Sequence, residues 1–139
     1  MNKIPFPKVP QTLKIYKPIR PRTRFLFTGR CETQNFSIAL ISSQEIAMFI
    51  EFNLENTKLV SAKSFSSKTW SREVLAKNPI QQNDTFFIQI ITTNDHFEVF
   101  SGGTFIFSLK YTVPLEKITG IRLMESMEMY EFEMEMTIE

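Results

Sequence analysis

Trp70 is the only tryptophan in the chain, and the segment Trp70-Ser71-Arg72-Glu73 sets a guanidinium and a carboxylate within three residues of it. Upstream, Glu51-Phe52-Asn53-Leu54-Glu55 carries a polar side chain at every second position, the spacing that keeps side chains on one face of a strand. Lys63, seven positions before Trp70, adds a cation. A flat indole with carboxylates, an amide and cations near it has the chemistry to hold a sugar, whose apolar C–H face rests on a ring while its hydroxyls need fixed donors and acceptors. Each residue also has a plainer reading. A single tryptophan in a β protein often packs in the core, Asn53 can simply satisfy a turn after its strand, and Glu51 and Glu55 can be solvated.

Catalytic chemistry finds no comparable footing. His96 stands beside a turn without a His, Cys or carboxylate set at metal-ligand spacing. Cys31, the only cysteine, has no recognisable base partner. Three converging carboxylates could attract a cation, but no Asp-rich loop of the calcium type accompanies them. No enzyme, cofactor or metal site is expected.

The elements that must position these residues read as strands. Phe25 and Phe27 alternate with Arg24, Leu26 and Thr28; Phe36, Ile38 and Leu40 alternate with Ser37, Ala39 and Ile41; Met48, Ile50 and Phe52 alternate with Ala47, Phe49, Glu51 and Asn53. Residues 58–65, 72–76 and 96–100 continue the pattern, and residues 85–91 are so uniformly apolar that a strand buried on both faces is expected. Gly29 is placed at a bend, and Gly102-Gly103 reads as a tight hairpin. Near the end, apolar residues hold odd positions through Met129 and even positions from Phe132, which predicts a bulge at Tyr130-Glu131. Five prolines in residues 1–22 oppose a helix and weaken any central strand there. Fourteen phenylalanines and no amphipathic helix of useful length point to an all-β antiparallel sandwich or barrel.

A length of 139 residues suits one domain. Net charge is +1, so no bulk field favours nucleic acid or an anionic membrane. The balance hides an asymmetry: residues 1–31 carry eight bases and no acid, residues 125–139 six acids and no base. A basic arm for RNA or membrane is one reading. Pairing of the two ends as neighbouring, oppositely charged strands is the favoured one, and nucleic acid is not an expected partner. No apolar run reaches membrane-spanning length, no secretory leader opens the chain, and one cysteine does not suggest an oxidising compartment. The expected location is the cytoplasm.

Taken in order, these features resemble the galectins. The resemblance covers about residues 12–130 and rests on Phe36-Ser37-Ile38-Ala39-Leu40, on Ile46-Ala47-Met48 running into Phe52-Asn53, and on Trp70 with Glu73. Pro79 before residues 86–90, Phe97-Glu98-Val99 before Gly102-Gly103-Thr104-Phe105, and Pro114-Leu115 before Ile118 complete it. It implies a two-sheet, jelly-roll-like sandwich with a sugar groove on its concave sheet, and a protein often exported without a signal peptide. It divides the chain into a proline-rich basic arm (1–11), a carbohydrate-recognition domain (12–132) and an acidic, Met-rich tail or strand end (133–139). The family's His-x-Asn-x-Arg falls on Glu51, Asn53 and Glu55, the asparagine of Val-x-Asn on Lys63, and Trp-x-x-Glu-x-Arg on Trp70, Glu73 and Leu75. Only Asn53, Trp70 and Glu73 match. A donor-rich triad thus becomes mostly acceptors, Glu55 would face Glu73, and Lys63, with Arg72 as second candidate, would separate like charges and reverse the polarity of the family's ion pair. The resemblance implies a non-enzymatic lectin that takes galactoside-type or related glycans or glycoproteins on Trp70, with ordinary lactose recognition disfavoured by the lost His and Arg. The terminal strands, with their opposite charges and Met-rich face, are where a homodimer or a partner edge is expected. The alternative is a protein-interaction module of the same fold that has lost sugar binding.

Overall fold

The computed structural model describes residues 2–5, 7–31, 35–54, 58–124 and 127–136. Strands β1 (Asn2–Pro5), β2 (Gln11–Lys14), β3 (Thr23–Cys31), β4 (Phe36–Ile41), β5 (Ile46–Phe52), β6 (Leu59–Ser66), β7 (Thr69–Trp70) and β8 (Val74–Lys77) occupy the first part of the chain. β9 (Thr85–Thr92), β10 (His96–Ser101), β11 (Thr104–Lys110), β12 (Gly120–Met124) and β13 (Met127–Met136) follow, with one 3₁₀ turn at Leu115–Lys117. Two antiparallel sheets result. One runs β1-β13-β3-β9-β10-β11; the other runs β2-β12-β4-β5-β6-β7, with β8 also paired to β6. No helix among the described residues is long and apolar enough to cross a membrane.

The alternation seen in the sequence is what joins the sheets. β3 buries Phe25 and Phe27 and half-exposes Arg24, Leu26 and Thr28. Opposite it, Ile38, Leu40, Met48, Ile50 and Phe52 are fully buried from β4 and β5. Burial of large apolar side chains on the two inner faces is the main force holding such a sandwich together. Phe36 ties the layers together: its ring stacks on Phe52 of β5 at 4.8 Å and on Phe86 of β9 at 5.1 Å between centroids.

Several expectations change. β9 is not buried on both faces: Phe86, Ile88 and Ile90 point inward while Phe87 is 41% exposed. Its outer apolar residues instead line the outer surface of the sheet, where Leu26 and Phe100 flank Gln89 in the pairing register. Gly29 does not bend β3, which runs unbroken from Thr23 to Cys31. A Cβ there would lie 2.5 Å from the Glu128 carbonyl oxygen and 2.8 Å from the Phe86 ring, so glycine allows a close approach of strands. Trp70 lies in a short strand: Ser67 and Lys68, at φ 51° and 62°, close a hairpin that returns β7 along β6. The following strand begins at Val74, later than residue 72. The Gly102-Gly103 hairpin has positive φ at both glycines, and the β13 bulge falls between Met129 and Glu131.

The prolines of the first residues do not keep them out of the sheets. β1 sits at a sheet edge, where a missing N–H is tolerated, and pairs with β13 from Asn2 opposite Met134 to Pro5 opposite Glu131. Lys3 Nζ lies 3.2 Å from Glu131 Oε2, and Arg24 pairs with Glu135. The opposite charges of the two ends thus meet across β13, and residues 133–136 are part of the six-stranded sheet.

Candidate functional site

β5, β6 and β7 place the site on the outer face of the seven-stranded sheet. Phe49 pairs with Lys63, Glu51 with Ser61 and Phe65 with Trp70. Because side chains alternate across each strand, the register gathers Phe49, Lys63, Phe65 and Trp70 on one side. Trp70 is 44% exposed and therefore is not a core tryptophan. Phe65 supports its ring at 5.1 Å and 57°, Phe49 at 6.3 Å and 62°, and Lys63 Nζ stands 4.5 Å from its centroid. The lysine therefore makes a cation–π contact with the indole. A depression of about 580 Å³ adjoins Phe65 and is lined by the hydroxyl and charged side chains of Ser42, Glu45, Ser67, Lys68 and Lys117, among others. Glu45 fixes that rim by accepting the Ser67 N–H at 3.2 Å.

Asn53 is bound into the fold. Its side-chain oxygen accepts from Asn35 Nδ2 at 2.9 Å, and its own amide donates to the Leu59 carbonyl at 3.0 Å. Asn35 in turn accepts the Leu54 N–H, and Asn78 donates to the Asn53 carbonyl at 2.8 Å. Three asparagines thus close the ends of β5, β6 and β8. Asn53 keeps one acceptor lone pair and one N–H beyond these bonds. Glu51 is half-buried, while Arg72 and Glu73 are exposed. No side-chain hydrogen bond or ion pair engages these three among the described residues. Glu55 lies outside the described residues, so its facing of Glu73 does too.

Sequence reasoning put Phe49 on the same face as Glu51 and Asn53 but assigned it no part, and it overlooked Phe65 and Asn35. Parity along β5 and the hairpin before Trp70 were the available signals for the two phenylalanines. Asn35 has none, since its role depends on a contact 18 residues away.

The remaining titratable clusters suggest structural work. His96 bonds Asp95 at 2.6 Å and Glu98 at 3.0 Å, and these two carboxylates, Glu98 foremost, hold its pKa above the ordinary value. Burial pushes the Cys31 thiol up, away from a reactive thiolate; the thiol donates to the Gln81 carbonyl. No group of three His, Cys, Asp or Glu side chains among the described residues has the geometry to hold a metal ion.

Comparison with known proteins agrees with this architecture. Caenorhabditis elegans galectin LEC-6 superposes with a TM-score of 0.89 at 16% identity, covering 96% of each chain. Sheep galectin-11, solved in complex with glycerol, superposes with a TM-score of 0.81 at 9% identity, over 91% of this chain and 97% of that one. At such identities the likeness concerns the fold alone. A 32 kDa beta-galactoside-binding lectin of Caenorhabditis elegans is 26% identical over 98 residues, 66% of this chain and 35% of that protein. The chain therefore spans about a third of this relative. The profile of the galactoside-binding lectin family matches residues 10–134, and with most of its length matched the chain belongs to that family, the galectins.

Proposed function

We propose that this galectin binds a galactoside-type or related glycan on the outer face of the seven-stranded sheet, with Trp70 as the stacking platform. The observation that carries the reading is the exposed indole itself, propped by Phe65 and Phe49 with a lysine ammonium 4.5 Å from its centre. An aromatic side chain left 44% exposed but held by two neighbours is preorganised for a ligand, because little freedom is lost when a sugar stacks on it. Lys63 donates to hydroxyls at the edge of the stacked ring. Glu73 and Glu51 accept from others, and Arg72 supplies a second cation at the rim. Asn53 offers its remaining donor and acceptor from a fixed position. Glu55 keeps its place in this reading by its spacing from Asn53. The donors of the family's His and Arg are replaced by one mobile ammonium, so affinity for lactose is weaker than the full motif gives.

The test is intrinsic fluorescence during a lactose titration with sucrose as control, since Trp70 is the sole indole. A saturable, lactose-specific change that weakens with the exposed Glu73 replaced by Ala is expected. No change with lactose or with a panel of galactose-terminated glycans would reject the proposal and leave a protein contact as the use of this face.

A further inference from the structure

A cleft lies away from Trp70, lined by none of the residues of the platform. It has a volume of about 1020 Å³ and opens where β8, at one edge of the seven-stranded sheet, passes β11, the last strand of the other. Its described lining holds two cations, Lys58 and Lys77, and no acid. Phe105 lies at its wall, 53% exposed, with its ring held edge-to-face by Phe100 at 5.6 Å. The polar groups of the floor are already occupied. The Asn78 side chain donates to the Asn53 carbonyl and accepts the Ile80 N–H, and Pro79 has no N–H to offer. What the cleft presents to an incoming molecule is therefore two ammonium groups, a braced aromatic face and the amide of Gln81, which has no side-chain hydrogen bond among the described residues.

We infer that this cleft is a second ligand site, for an anionic saccharide carrying sulfate or carboxylate groups. Lys58 and Lys77 pair with the anionic substituents, Phe105 takes the C–H face of a pyranose, and Gln81 bonds a hydroxyl. An extended acidic peptide fits less well. Strand addition needs free main-chain donors along the edge, and Pro79 and the Asn78 N–H, which donates to the Lys58 carbonyl at 2.9 Å, end that ladder at the cleft. The site shares no residue with the Trp70 platform and stands independently of it.

Two-dimensional amide NMR of the full chain with a heparin-derived tetrasaccharide locates binding, with cellotetraose as neutral control and tetraglutamate as peptide control. Shifts concentrated at residues 58, 76–82 and 104–106 are expected, absent with cellotetraose and weakened by added salt. The double variant Lys58→Glu/Lys77→Glu should bind the tetrasaccharide about tenfold or more weakly, Phe105→Ala should also weaken it, and Trp70→Ala should bind it unchanged. Shifts confined to other basic residues, or none, would overturn the site. Tetraglutamate binding equally well, with no effect of Phe105→Ala on either probe, would overturn the saccharide class. Mapping on the unaltered chain decides the location even if a variant fails to fold. A cleft that responds while lactose leaves Trp70 silent would reject only the platform reading, and the reverse only this one.

Discussion

Lys63 does two things at once on the indole of Trp70. It supplies a charge where the family's sequence pattern has an amide, and it covers part of the ring that a ligand would use. An exposed cation–π contact is worth about 0.5–1 kcal/mol, small enough to be exchanged for a sugar hydroxyl. Lys63→Met keeps the stem and removes the charge. If the ammonium serves as a donor, glycan affinity should fall by about tenfold to a hundredfold, the loss of one hydrogen bond to a charged group; if it only covers the ring, affinity should be unchanged or rise. The titration that monitors Trp70 reads either result. The substitution pattern at this site was legible in the sequence, because Trp70 and Glu73 fix the alignment and Lys63 then falls at a countable distance. Parity along β5 put Phe49 on the right face, but its distance to the indole was not legible, since it depends on the irregular register between Ile46 and Phe49.

Strands and their irregularities carry the next level. The bulge of β13 was legible because one inserted residue reverses the parity of every apolar position after it. Its partner was not: nothing local marks Gly29 as the residue that must lie against the Glu128 carbonyl and the Phe86 ring. Gly29→Ala should therefore destabilise the protein by about 1–3 kcal/mol through overpacking, measured as a lowered urea midpoint with an unchanged slope. A midpoint equal to the parent would mean that β3 and β13 separate freely at this point. β9 misled the reading for a physical reason. Its outer side chains are apolar because they lie beside other apolar side chains on a half-covered surface, and composition cannot distinguish that from full burial.

At the scale of the molecule, stability should depend on pH through two groups at the β9–β10 turn. Tyr111 donates to the Thr93 carbonyl at 2.6 Å and accepts the Thr93 N–H at 3.0 Å, and burial pushes its pKa from 10.0 up to about 12. Between those values the unfolded chain has released the phenolic proton and the folded chain has not, so stability falls as pH rises through that range. His96 has a raised folded pKa, so its contribution is complete below the ordinary value of 6.5 and is lost as pH rises through the raised one. Denaturation of Tyr111→Phe and His96→Gln across pH should show this: the first loses the alkaline decline that the parent shows, the second is destabilised in acid and converges on the parent in mild alkali. Parallel curves at all pH values would contradict both assignments.

The pairing of β1 with β13 has a mechanical side. Asn2 lies opposite Met134 and Pro5 opposite Glu131, so the first and last described residues leave the same end of one antiparallel ladder. Tension applied to the two ends would load its hydrogen bonds one after another, as a zipper opens, and never all together in shear. The ion pair of Lys3 with Glu131 sits beyond the first rungs and gives way only after them. Pulled by its ends, the sandwich yields first at β1, while β5, β6 and β7, in the other sheet, remain unloaded.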